Sequence, residues 1–253
     1  MSQSYQKQFI KDIVAKNYVL ASVLHFFGIE FYKFYNDPLE SVCQKKGIDV
    51  FTVIKTLESC QENQDLKLTP DLEQEYEIDI IIQYLKKAHQ SFIRHKLPYM
   101  ADLIQNIKPS FFDNPEEARD LKFVFPIFAE DFIRHIYEEE KYHFGYIERL
   151  NSAIQNGFNP VSLFEDLDNF SIDKIFSDHQ CEDDEMKGIR ELTKGYCISE
   201  NTGIFTKVVY QELKAFENDL KTHSFIENKI LFPKAKKIEI EAIKLLEKKA
   251  LLN

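Results

Sequence analysis

The sequence predicts an all-α protein, and three observations carry that prediction. Only seven Gly and eight Pro interrupt 253 residues, alternating β-branched runs are scarce, and apolar residues recur at helical spacing through four long stretches. The first segment, "SYQKQFIKDIVAKNYVLASVLHFFGI", reads as helical up to Gly28. "NDPLESVCQKKGIDVFTVIKTLES" then offers two short helices. Asp37 is expected to cap the first, with Pro38 in its first turn and Gly47 closing it, and Asp49 to cap the second. The polar run "CQENQDLKLTPDLEQE" is the best linker, which divides the chain into a small helical module over 1–62 and a larger part over 75–253. In the larger part the periodic stretches fall at about 75–107, 115–156, 170–196 and 203–231, separated by "IKPSFFDNP", "NGFNP" and "SENTG". Four long helices with short connections predict an up-down antiparallel four-helix bundle.

Composition narrows the function classes. A formal net charge of -10 and a pI near 5.3 exclude an extended phosphate-binding surface, so no nucleic-acid partner is expected. The basic residues Lys229, Lys234, Lys236 and Lys237 precede "EAIKLLEKKALL" and read as a solvated helical face. No stretch approaches the roughly 20 apolar residues that span a bilayer, and the N-terminus lacks the apolar core of a signal peptide. A cytoplasmic protein with no membrane partner is the expectation. Cys43, Cys60, Cys181 and Cys197 are widely separated and form no CxxC pair, which indicates neither a zinc knuckle nor a disulfide framework.

The chemistry lies on the inner seams. Steps of three and four through the last long stretch give Val209, Leu213, Phe216, Leu220, His223, Glu227 and Ile230. The second long stretch gives Leu121, Phe125, Phe128, Phe132, His135, Glu139, Tyr142, Tyr146 and Leu150, with Pro126 disturbing its early turns. Each seam is interrupted by a His and a Glu four residues apart, which lie on one helix face. A core-facing carboxylate is costly unless paired or coordinated, so two such pairs point either to a shared metal or to buried hydrogen bonds. In the first stretch His89 shares the seam of Ile78, Ile82, Leu85 and Phe92, and Gln90 lies about 100° round. In the third, His179 and Glu182 share a face with Ile175, Met186 and Ile189. Only Glu139 of the run Glu138–Lys141 falls on a seam, and the rest reads as solvated charge. His25, His95 and His143 read as structural or surface residues.

"FENDLKTHSFIENKILFPKA", "HIYEEEKYHFG", "YLKKAHQSFIRHKLP" and "EDDEMKGIRELTKGY" resemble, in order, the last, second, first and third ligand helices of the hemerythrin-like di-iron proteins of the iron-centre repair family. In the second, the Leu-Phe-Pro ending is replaced by His143, Phe144 and Gly145. The resemblance implies a hemerythrin-like bundle with four His and two bridging Glu as ligands. His135 with Glu139 and His223 with Glu227 match two of those His and both Glu. The remaining His positions align with Gln90, preceded by His89, and with Glu182, preceded one turn earlier by His179, so the implied ligand set is altered. The first 60 residues resemble the small module that precedes such bundles. There Tyr32 and Lys33 stand where the family carries adjacent cysteines, and Cys43 matches a third cysteine.

The resemblance implies a non-haem iron protein of the stress response, di-iron or with a mononuclear Fe, Mn or Zn site. Its expected ligands are nitric oxide or dioxygen, and its expected activity is iron-sulfur cluster repair. A metal-free paralogue serving as an interaction or regulatory scaffold is the alternative, and a protein partner or a homodimer stays open.

Overall fold

The computed structural model describes residues 3–62, 76–109, 112, 114–182, 184–200 and 202–251. It is all-α: among the described residues no strand occurs, and one isolated bridge joins Phe9 to Pro38. The expected linker between 63 and 75 lies outside the described residues. By compactness the chain divides into two units. One comprises residues 1–69, 98–125 and 189–216; the other comprises residues 70–97, 126–188 and 217–253.

In the first unit the opening segment forms not one helix but three, Gln3–Gln6, Ile10–Lys16 and Leu20–Phe26. Two local features interrupt it. Phe9 is extended so that the Ile10 N–H donates to the Asp37 carbonyl and the Leu39 N–H to the Gln8 carbonyl. The Asn17 side chain accepts from the Val19 N–H at 3.1 Å, the local bond that draws Asn out of helices. Gly28 and Gly47, both at positive φ, close their helices with paired bonds: Gly28 N–H to His25 and Ile29 N–H to Leu24, then Gly47 N–H to Gln44 and Ile48 N–H to Cys43. Asp49 caps its helix through the Thr52 N–H at 3.0 Å. Asp37 does not cap the helix Leu39–Lys46, because the extended Pro38 holds the cap position and leaves Asp37 one residue too early.

The second unit holds His89, His135, Glu139, His179, His223 and Glu227. Its core gathers Ile78, Ile82, Leu85, Phe144, Tyr146, Ile147, Leu150, Ile175, Ile226, Leu231 and Phe232. The helix Pro115–Glu138 begins with Pro115, and the Asn114 side chain accepts from Glu116; Pro126 sits inside it without ending it. The segment after "NGFNP" forms a further helix, Pro160–Asn169, capped by Asn159 through the Val161 N–H at 2.9 Å. The third periodic stretch divides into Ile172–Glu182 and Lys187–Leu192, and the last continues from Ile204 to Ala250.

Three of these helical runs contain a π-helical turn, at Phe92–Lys96, Glu139–Phe144 and Glu227–Leu231. The amides of Leu97, Gly145 and Phe232 donate to Phe92, Glu140 and Glu227, five residues back. Pro98 and Pro233 explain two of the three. Proline has no N–H and its ring crowds the carbonyl four residues back, so the ladder widens just before it. Gly145 holds, relative to Glu139, the place that Pro233 holds relative to Glu227. The wide turn also corrects the seam: Tyr142, expected inside, is 44% exposed, whereas Phe144 is fully buried. A step of 100° per residue does not survive a turn closed over five residues.

Glu239 is a further buried carboxylate of the second unit. It accepts from the Tyr146 hydroxyl and the Ile172 backbone N–H, both at 2.9 Å, and from Lys236 at 2.8 Å. It thereby satisfies an orphan amide at the start of the His179 helix. Glu239→Ala strands that amide and the Tyr146 hydroxyl, and urea unfolding should show a loss of about 1–3 kcal/mol. Gly145 is helical, and an added Cβ meets only the Arg149 side chain at 3.4 Å and the Glu140 carbonyl at 3.7 Å. Gly145→Ala should therefore raise stability by about 0.5–1 kcal/mol in the same measurement.

Candidate metal centre

Four helical runs of the second unit each turn one imidazole toward the same point. His89 comes from Ile78–Ser91, His135 from Pro115–Glu138, His179 from Ile172–Glu182 and His223 from Ile204–Ile226. Glu139 and Glu227 are the first residues of two π turns, each one helical turn beyond its histidine. His89, Glu139, His179, His223 and Glu227 are buried, and His135 keeps about a quarter of its side chain exposed.

The two carboxylates are addressed from both sides. Glu139 presents Oε2 to His89 Nε2 at 3.4 Å and Oε1 to His179 Nε2 at 3.6 Å. Glu227 presents Oε1 to His223 Nε2 at 2.9 Å and Oε2 to His179 Nε2 at 3.1 Å. His89 Nε2 and His223 Nε2 stand 2.9 Å apart. Two sets of donor atoms draw within 4.8 Å of one another: His89, Glu139, His223 and Glu227 form one, and His135, Glu139 and His179 form the other. Glu139 belongs to both.

The donors fit a metal. Atoms about 2.1 Å from one ion and about 90–110° apart lie about 3.0–3.4 Å from each other, close to the separations here. Glu139 Oε1 and Glu227 Oε1 are buried and accept no well-formed hydrogen bond. A buried carboxylate oxygen in that condition asks for a cation.

Charge and packing hold the imidazoles in place. His89 Nδ1 lies 2.8 Å from Glu140 Oε1, and since an ionised carboxylate only accepts, the ring N–H must be at Nδ1. Nε2 then points inward, and loss of its own proton to a bound cation would leave it a lone pair there, the arrangement that orients metal-binding histidines. His89 also stacks on Phe144, with ring centroids 5.7 Å apart and 3° between planes, while His223 meets Phe92 edge-on. Burial alone would lower the His89 pKa, but Glu139, Glu140 and Glu227 raise it above the ordinary histidine value. Burial would likewise raise Glu227, but His223 and His179 hold it well below the usual carboxylate range. His143 comes within electrostatic reach of Glu139 and His179, and burial pushes its imidazole below the ordinary value.

Of the residues singled out in the sequence, His89, His135, Glu139, His179, His223 and Glu227 are brought together. Gln90 is exposed, because one step along the helix from His89 leaves the seam. The Glu182 side chain lies outside the described residues. Three participants were missed. Glu140, read as solvated charge, is turned toward His89 by the π turn at Glu139; His143, in that same turn, comes within electrostatic reach of the cluster. Glu185, on the turn after the His179 helix, faces His135 at 3.5 Å. The Pro98 and Pro233 positions could have signalled the wide turns. Nothing in the sequence pattern signals Glu185.

In the first unit the Tyr32 hydroxyl donates to Asp102 at 2.6 Å and its ring meets Phe205 edge-on. Tyr32 is thus a packing and hydrogen-bonding residue. Cys43 is buried, and burial with the nearby Asp49 raises its thiol pKa. Among the described residues no helix is long and apolar enough to cross a membrane.

No family profile matches the chain. It is similar to the iron-sulfur cluster repair protein YtfE of Yersinia pseudotuberculosis serotype O:1b (strain IP 31758), 22% identical over 155 residues, or 61% of this chain and 64% of that protein. The YtfE of Yersinia pestis bv. Antiqua (strain Angola) is 21% identical over the same shares. The chain thus matches about 64% of the length of these curated relatives, a distant relation.

The hydrogen bond that fixes His89 is open to test. In the metal-free protein, nitrogen NMR should find the His89 Nδ1 proton protected from solvent exchange, and Glu140→Ala should abolish that signal while the fold persists.

Proposed function

We propose that the chain is a non-haem iron protein whose second unit builds a di-iron centre in a hemerythrin-like four-helix arrangement. His89 and His223 would hold one metal and His135 and His179 the other, with Glu139 and Glu227 supplying carboxylate oxygens to both. The two-module division at 1–62 and 75–253 belongs to the same reading. The observation that carries it is the separate use of each carboxylate's two oxygens: Glu139 turns one to His89 and the other to His179, and Glu227 turns one to His223 and the other to His179. A carboxylate kept only for a hydrogen bond has no reason to address two imidazoles on two helices.

On this reading the ligand set is the four His and two Glu of the resemblance, with His89 and His179 in place of Gln90 and Glu182. Imidazole and carboxylate donors suit iron and also admit manganese or zinc. Bound iron would supply one-electron redox chemistry and coordination of a small ligand such as nitric oxide or dioxygen. The chain's own residues do the rest. Glu140 places a proton on His89 Nδ1, and Phe144 and Phe92 hold two rings against rotation. The distant likeness to iron-sulfur cluster repair proteins supports a role in which the damaged cluster is the substrate, in a cytoplasmic stress response, with a protein partner or a second copy of the chain.

A second reading is a metal-free scaffold, favoured by the hydrogen bond of His89 to Glu140 and the close pairing of His223 with Glu227, which partly satisfy the buried charges. Metal analysis separates the two. Protein purified anaerobically without chelator should hold about two iron atoms per chain, the number a four-helix carboxylate site takes. Glu227→Ala and His89→Ala should lose most of it, and Gln90→Ala should keep it. Iron-free native protein with undiminished stability would leave the scaffold reading.

A further inference from the structure

His89, His135, His179 and His223 all line one cavity, together with both glutamates and Glu185. The four rings are not equally enclosed: the His135 side chain is 23% exposed, against 10% for His223, 6% for His179 and 2% for His89. His135 marks the open side.

Glu185 stands at that opening. It lies on the turn joining Ile172–Glu182 to Lys187–Leu192, and its Oε1 is 3.5 Å from His135 Nε2. The nitrogen it faces matters, because Nε2 is also the atom that His89, His179 and His223 turn inward. The turn is held from below by the fully packed Met186 and by the Lys187 N–H donating to the Asp184 carbonyl. Glu185 keeps about a quarter of its side chain exposed, far more than Glu139 or Glu227. A carboxylate on a turn, partly at the surface, can bind and release without disturbing a helix.

We propose that Glu185 is a seventh, exchangeable ligand, a carboxylate that closes the open side of the metal position held by His135 and His179. This rests on the di-iron reading above and deepens it. The six residues of that reading all stand on helical runs, while Glu185, on a turn, gives way to an incoming small anion or diatomic molecule. The two metals then differ in lability, and the one at the opening exchanges first.

The test uses the full chain, loaded with iron and oxidised. Iron retention is followed under competition with a chelator, and azide is titrated while its charge-transfer absorption is recorded. Glu185→Ala should give up one of its irons at about tenfold lower chelator concentration, the lower end of what an outer ligand is worth. It should also take up azide at about tenfold lower concentration, since the competing carboxylate is gone. Asp184→Ala, which alters charge at the same mouth, should match the native chain in both. If either readout of Glu185→Ala matches the native chain, or if Asp184→Ala reproduces the effect, Glu185 is an ion-pair partner of His135 and not a ligand. Iron-free native protein would instead overturn the di-iron reading, and this role with it.

Discussion

Two carboxylates buried in an apolar interior set the terms for the second unit. Glu139 and Glu227 are almost wholly removed from water, and an ionised carboxylate there costs several kcal/mol unless opposite charge or coordination repays it. The surrounding architecture answers that cost: helices converge so that imidazoles from four runs stand close to carboxylate oxygens. Removing either carboxylate would leave mutually close histidines facing one another, which is why ligands and packing form one network.

The π turns are the local device that makes this convergence work. Two of them begin at the buried glutamates themselves, and the widened ladder re-aims the side chains of the next turn. At Glu139 the consequence is visible in three residues at once: Phe144 enters the core, Tyr142 leaves it and Glu140 reaches His89. The backbone thus supplies an orienting bond to a histidine on another helix and a ring for that histidine to stack on. Proline at Pro98 and Pro233 enforces the widening through steric exclusion; at Gly145, which keeps ordinary helical angles, the widening occurs without proline.

The first unit has taken another course. Where the resemblance places reactive cysteines, Tyr32 packs on Phe205 and bonds to Asp102, and Cys43 is sealed in the core. These are contributions to folding. The buried cluster of His and Glu lies in the second unit, and His135 is its most exposed ring.

What the sequence determined by itself was the helical class, the Schellman-type closures at Gly28 and Gly47, and the seams bearing His135, Glu139, His223 and Glu227. These arise from local propensity and from a period of 3.6 residues, which adjacent amino acids carry in themselves. Tertiary structure decided the rest. Between His89 and Gln90, spacing could not choose, because burial is decided by what faces a residue across the helices, and the fold buries His89 and leaves Gln90 exposed. The parts played by Glu140 and His143 depend on a turn that breaks the helical period itself. Glu185 becomes a neighbour of His135 only because a turn between two helices is folded against a third, a relation between residues distant in the chain that no local pattern encodes.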